Sequence, residues 1–459
     1  MQASQLKRKT LLCYSAGSLV ETSIYGFCGL YLMNFYTDVV HLDPRLIGYA
    51  FSIRFLADAF SDPLVGYLSD RTTSTLGRRR PYFLAGVIPA VIFFYLLLTP
   101  PSGSELQTFV WLTVTSGLLI TSLTVFGIPY LAMSWELSSD YDERTRISGW
   151  RRWFEVLAEI LATLTIPVLL AIAASSTPST PATPPVNESE FYPMAALLLG
   201  AVAVVAAVIA FVGTRERILP TTTREDGFFT GMRAAYRNKP FVILLVTFTL
   251  VAVADRVATA LLFYLLEYLH GIPKQDAIPL FLMFFAGSLA SPALWILLSK
   301  RLGKKRTYVL AIISWATAFA SFAATAWSPS ALYVVIGLMG ATSSGVLILP
   351  GAIIPDVIEW EQARTGERRE GIYAGVAKFS WKVATGLCFL LVGHLLFLVG
   401  YDGTAQPTGE VLDGLRLIFV VLLSVLVIAA ILVFRRFPIT TTSYDELLRQ
   451  IGKNKDADA

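Results

Sequence analysis

The stretch LADAFSDPLVGYLSDRTTSTLGRRRPYF, residues 56–83, puts two carboxylates, Asp58 and Asp62, into an apolar run that ends in a basic loop. They lie one helical turn apart and share a helix face. A carboxylate at a bilayer centre costs roughly 2.5–3.5 kcal/mol on insertion scales, so each should face a polar interior. Asp58 precedes the loop by about twelve residues, roughly 18 Å of helix, which is near mid-membrane. Two like charges so close raise each other's proton affinity. A small cation or one shared proton relieves both penalties, and carboxylate oxygens suit a hard ion such as sodium. Arg54, one turn before Asp58 on the same face, offers the alternative of a structural ion pair.

The rest of the chain matches this setting. Its 459 residues are 55% hydrophobic and only 15% charged, with mean hydropathy +0.61. Apolar runs near the length of a bilayer-spanning helix recur at 10–36, 46–69, 82–99, 107–134, 147–174, 191–213, 241–268, 276–298, 308–326, 331–357, 372–400 and 412–434. The expectation is an all-α polytopic membrane protein of about twelve helices; a barrel would show short alternating segments instead. Basic residues gather in alternate loops: Lys7–Lys9, Arg71 with Arg78–Arg80, Arg144 and Arg146, Arg215 through Lys239, Lys300–Arg306, Arg364 with Arg368–Arg369, and Arg435–Arg436. The opposite loops carry little beyond Arg45 and Lys274. That bias places both termini on the cytoplasmic side of a plasma (inner) membrane. It also accounts for most of the net charge of +4 and speaks against nucleic-acid binding, since the basic residues are scattered over many short loops.

Cys13, Cys28 and Cys388 all fall in expected spans and read as packing residues. The first span is too long for a signal-peptide core and lacks a clear cleavage site, so it is expected to remain. Asn187-Glu188-Ser189 is a glycosylation sequon, for which chance is the simpler reading. No nucleophile–base set or metal cluster stands out, and an enzyme is not expected.

The chain divides into halves. Residues 1–213 hold six spans, 214–240 form a polar, basic linker, 241–437 hold six more, and 438–459 form a tail. Within the linker, Phe228, Phe229, Met232 and Tyr236 would make one face of an interfacial helix beside Arg233 and Arg237; a solvated linker is the alternative. The halves resemble each other. Asp62-Pro63 leads into a Gly and basic cluster between spans two and three, as Ser291-Pro292 does between spans eight and nine. Ile128-Pro129 leads to DERTR, and Leu349-Pro350 to TGERRE. A two-fold repeat of six helices is the pattern of major facilitator transporters, whose halves rock about a midplane site.

Further charges lie inside the spans. Lys382 sits about ten residues into span eleven, with Lys378 one turn earlier, and a buried Lys seeks a carboxylate. Asp58 or Asp62 across a central cavity would serve, which would make Lys382 a competitor of the cation; snorkelling is the alternative. Span five opens with Arg151 and Arg152, followed by Glu155 and Glu159. Arg151 and Glu155 are spaced to pair along the helix, and Arg152 could hold substrate in two-pronged fashion or serve a gate pair. Glu21 lies in span one and Asp255-Arg256 in span seven. Trp381 is a sugar-stacking candidate, with packing as the plainer reading.

Taken together, YLMNFYTDVV (31–40), DAFSDPLVG (58–66), LGRRRP (76–81), IPY (128–130), LPGAIIPDVIEW (349–360) and TGERREGIYAGV (365–376) resemble the glycoside–pentoside–hexuronide:cation symporter family of the major facilitator superfamily. The resemblance implies a sodium, lithium or proton site at Asp58 and Asp62, lined by Thr124, with Lys382 nearby and Arg152, or Arg151 in another register, near the sugar. It also departs from the family. The melibiose branch reads its galactoside with aspartates where this chain has Thr22 and Gly127, and with a tryptophan where it has Leu131. Glu21 is next to Thr22 but about 100° away around the helix. PDVIEW and EVLA (155–158) are also similar to sodium-dependent lysophospholipid symporters.

The expected function is therefore cation-coupled symport of a sugar or glycoside-type solute by alternating access. A lysophospholipid or other amphiphile is the alternative, and a nontransporting receptor a third class. The coupling ion is sodium or a proton, with no other cofactor. The partners are a small-molecule substrate and the lipid bilayer, and the protein is expected to act as a monomer. Asp70, Arg71, Arg78 and Arg79 are the expected gate residues, with Gly66 permitting close helix approach.

Overall fold

The computed structural model describes residues 7–137, 141–176, 188–215, 233, 235–324, 328–365, 370–401 and 407–439. The sequon at Asn187, linker residues Phe228, Phe229 and Met232, Arg368–Arg369 and the tail lie outside the described residues, as do the side chains of Asp70, Arg144, Lys378 and Trp381.

Each expected span is a helix or a broken helix pair among these residues. The first is α1 (Arg8–Ala16) and α2 (Ser18–Asn34), parted at Gly17, where the Tyr130 ring fills the space a Cβ would need. Then come α3 (Pro44–Arg71), α4 (Pro81–Leu97), α5 (Glu105–Glu136), α6 (Tyr141–Ser176) and α7 (Phe191–Gly213). The second series is α8 (Lys239–Tyr264), α9 (Ile278–Ala290) with α10 (Pro292–Leu302), α11 (Lys304–Ala324), α12 (Pro329–Thr365), α13 (Glu370–Leu398) and α14 (Gly409–Arg435). Among the described residues, eight helical stretches are long and apolar enough to cross a membrane, and two shorter ones are apolar.

The helix starts follow from local chemistry. Asp43 accepts a hydrogen bond from the Arg45 amide ahead of Pro44, and Asn238 does the same for Phe241 ahead of Pro240. Ser104 and Gln107 form a reciprocal capping box. The repeat is visible in the backbone as well. Both α2 and α8 run into a five-residue π-helical turn, Phe35–Val39 and Leu265–Leu269.

Two compact units emerge. One comprises residues 1–222, 272–278 and 389–407; the other comprises 223–271, 279–388 and 408–459. In the first, α4 and α5 cross backbone to backbone: a Cβ at Gly86 would lie 2.5 Å from the Phe126 amide nitrogen. Among the described residues, the nearest atom to a Cβ at Gly66 is Ile128 Cγ2 at 3.8 Å, an ordinary contact. In the second unit the tight crossing joins α9 to α12, with Gly287 against the Gly337 carbonyl and Gly340 against that of Phe284.

Candidate functional site

The carboxylates of the opening stretch meet α5. Asp58 is buried, and Asp62 is half-buried one turn on. Thr124, itself buried, donates through Oγ1 to Asp58 Oδ1 at 3.1 Å and to Asp62 Oδ1 at 3.2 Å. A hydroxyl has one proton, so it serves one carboxylate at a time. Three hard oxygens therefore converge across an α3–α5 contact, a donor set suited to a small hard cation or a proton. The Arg54 guanidinium is buried and lies 5.0 Å from the centroid of Phe51.

Two neighbours extend the site. Tyr25 on α2 sits within electrostatic reach of Asp58, Glu21, Arg54 and Asp62. Nothing in the local pattern singled it out, because its setting depends on how α2 lies against α3. Glu21, one turn before it, lays its carboxylate against Gly127 of α5, where a Cβ would collide with it. The sequence places Glu21 away from Thr22 and leaves position 127 without a side chain. The structure fills that space with the Glu21 carboxylate, while Thr22 is half-buried.

Span five brings its charges together along one helix. Arg151 Nη2 pairs with Glu155 at 3.3 Å, and Arg152 pairs with Glu159 at 3.0 Å and Glu155 at 3.5 Å. Arg151 also lies 5.4 Å from the Tyr130 ring centroid and within electrostatic reach of Glu21. Tyr130 and Tyr14 stack with centroids 4.6 Å apart and donate to each other's carbonyls at 2.8 and 2.7 Å.

The basic loop ties down its own unit. Arg79 is buried and donates to Ser69 Oγ at 3.0 Å. Arg80 donates to the Phe211 carbonyl at 3.0 Å through Nε, and its guanidinium lies 4.5 Å from that ring. That carbonyl is among the last of α7, where helix carbonyls lack internal partners. Arg78 is half-buried and Arg71 exposed.

The second unit carries no copy of the carboxylate pair. Counting from the paired prolines sets Ser291 opposite Asp62 and Gly345 opposite Thr124. Ser291 Oγ and Trp295 Nε1 both donate to the Ala341 carbonyl, at 2.9 and 2.8 Å, and the Trp295 ring covers Gly345. The counterpart is thus filled by an indole. Elsewhere in this unit, Lys304 pairs with Asp356 at 2.5 Å, and Asn238 donates to Glu361 and to Tyr373. Lys382 is half-buried on α13, and the Asp255-Arg256 pair lies within electrostatic reach of Cys388. Cys13, Cys28 and Cys388 are free thiols.

Residues 13–441 match the family model described as MFS/sugar transport protein. The chain belongs to that family of integral membrane transporters in the major facilitator superfamily. Among relatives, it is 26% identical to "Uncharacterized symporter YnaJ" of Bacillus subtilis, over 96% of this chain and 94% of that one. It is 25% identical to the "Isoprimeverose transporter" of Lactiplantibacillus pentosus, covering 89% and 84%. It is also 25% identical to "Sodium-dependent lysophosphatidylcholine symporter 1-A" of Danio rerio, covering 93% and 85%. Among solved structures, a bacterial homologue of the lysosomal transporter Spinster superposes with TM-score 0.68 at 15% identity, covering 97% of this chain and 99% of that one. That likeness shows the fold.

Proposed function

We propose that the protein is a cation-coupled symporter that imports a sugar or glycoside-type solute by alternating access. The observation that carries this reading is the Thr124 hydroxyl shared between Asp58 and Asp62 inside membrane-length helices. Sodium or a proton binds there and offsets the repulsion between the two carboxylates. The Tyr25 phenol and the charges of Glu21 and Arg151 continue from that point, so occupancy of the ion site changes the field in which substrate binds. Substrate must then strengthen ion binding by the same factor. Lys382 is the proposed counter-charge on α13, with Arg152 and Arg151 the proposed polar contacts to substrate and Trp381 its proposed stacking partner. Asp70, Arg71, Arg78 and Arg79 are proposed to brace the cytoplasmic gate.

The proposed layout is two six-helix halves, 1–213 and 241–437, joined by the 214–240 linker. Both termini face the cytoplasm of the plasma (inner) membrane, from the distribution of Lys and Arg. The protein acts as a monomer on a small-molecule substrate and is not an enzyme. A lysophospholipid substrate is the second reading, because a lysophosphatidylcholine symporter is, like a sugar transporter, 25% identical to this chain.

Counterflow in proteoliposomes tests both. Glycosides, pentosides, uronides and lysolipids are compared at varied sodium and pH. Thr124→Val should weaken cation activation about tenfold or more, the loss of one hydrogen bond to a charged group, and Thr124→Ser should restore it. Asp58→Asn and Asp62→Asn should each abolish cation dependence. Uptake that stays cation-dependent in both refutes the site.

A further inference from the structure

The stretch KRLGKKR, residues 300–306, carries five cations where α10 gives way to α11. Two of them turn inward. Lys304 pairs with Asp356 and donates to the Ala352 carbonyl at 3.0 Å. Lys305 donates to the carbonyls of Arg435 and Phe437, at 3.1 and 2.5 Å, at the end of α14 where helix carbonyls lack internal partners. Phe434 stacks on Phe437 with centroids 5.0 Å apart and meets the Tyr308 ring edge-on at 5.1 Å, so the end of α14 is held against α11. Only Gly303, with φ 81°, separates α10 from α11, which brings the end of α10 to the same corner.

The first unit builds a similar clamp, with Arg80 on the Phe211 carbonyl, and the helix end there reads FVGT, without charge. The second unit adds cations that its clamp does not use. Lys300, Arg301, Arg306, Arg435 and Arg436 are exposed, and among the described residues none of them pairs with a carboxylate. Like charges gathered at one corner repel, and an anion seated among them relieves that repulsion. Each of the three helices also passes from cation to bare apolar surface within one turn. Arg301 lies four residues from Leu297, Arg306 from Leu310 and Arg436 from Leu432, and these leucines are 45%, 41% and 54% exposed. The ligand that fits is negative at one end and apolar along the rest. Guanidinium groups hold phosphate oxygens in two-pronged fashion, and basic clusters at a membrane edge attract anionic headgroups.

We propose that the corner formed by residues 300–306 and the end of α14 binds an anionic phospholipid, its phosphate among the five cations and its acyl chains along the leucines. This site is independent of the transported solute and of the coupling ion. It requires only that the helices lie in a bilayer.

The full-length protein in a neutral detergent provides the test, with bound lipid counted by native mass spectrometry during separate titrations of phosphatidylglycerol and phosphatidylcholine. Phosphatidylglycerol should bind in preference, and inorganic phosphate at the same concentration should not displace it. Arg306→Gln, Arg435→Gln and Arg436→Gln combined should weaken phosphatidylglycerol binding about fivefold for each charge removed, with phosphatidylcholine unaffected. Should the triple variant not fold, Arg436→Gln alone, just past α14, should lose about fivefold. Lys7→Gln with Lys9→Gln removes two exposed cations elsewhere and should leave binding unchanged. Equal binding of the two lipids, an equal loss in the Lys7 and Lys9 control, or displacement by inorganic phosphate each overturns the site.

Discussion

Replacing Gly127 by alanine adds one methyl group where Glu21 lays its carboxylate. For the backbone the change is favourable, since glycine in a helix interior is worse than alanine by roughly 0.5–1 kcal/mol. The obstacle is the far end of a flexible side chain, so Glu21 yields and α5 stays in place. Driving a side chain out of its rotamer well costs about 0.5–1.5 kcal/mol. At about 1.36 kcal/mol per tenfold, that is a loss of about 2- to 13-fold in substrate affinity where Glu21 contributes to binding. Thermal unfolding in detergent should therefore be unchanged or slightly raised, while half-saturation of counterflow weakens within that range. The double-mutant cycle isolates the cause. In a Glu21→Ala background, Gly127→Ala should have no further effect, because contacting residues couple and distant ones add. Wild-type transport by Gly127→Ala, or the same loss in both backgrounds, would rule out a role for the Glu21 carboxylate in the space at position 127.

Two further outcomes follow from the structure. Gly86→Val puts a branched side chain against the Phe126 backbone, so α4 and α5 cannot close; folded yield should fall sharply, with destabilisation of about 3 kcal/mol or more. Measured by size-exclusion of detergent extracts, Gly66→Val should be far milder, since among the described residues only Ile128 Cγ2 lies within 4 Å of a Cβ there. Asp43 carries a pH signature: hydrogen bonds from Arg45 hold its carboxyl below the usual carboxylate range. A depressed folded value stabilises the protein above the unfolded value of about 3.9 and loses that stabilisation as pH falls through the folded one. Thermal unfolding between about pH 6 and pH 3 should fall more steeply for wild type than for Asp43→Asn.

The helices were legible because their causes are local. Apolar run length located the helices among the described residues, and Asp43-Pro44, Ser104–Gln107 and Asn238 mark helix starts in the sequence itself. The packing of the Tyr130 ring against Gly17 was not legible, since the two lie more than a hundred residues apart. The pairing of Arg151 with Glu155 followed from helical spacing alone. The roles of Arg79 and Arg80 did not. A run of arginines before a helix reads only as a basic loop until Ser69 and the end of α7 are placed beside it.

By itself the sequence determined that this is a helical membrane transporter with two carboxylates one turn apart on one face. Those are matters of composition and of periodicity within single helices. The resemblance set Thr124 beside them; its hydrogen bonding to both carboxylates, the Glu21 carboxylate in the space at Gly127 and the Trp295 ring over Gly345 come from the folded chain. Each of these joins helices distant in the chain. Sequence periodicity describes one helix at a time, so it does not show which helices lie side by side, whereas crossings such as those at Gly86, Gly287 and Gly340 bring backbones together across the chain.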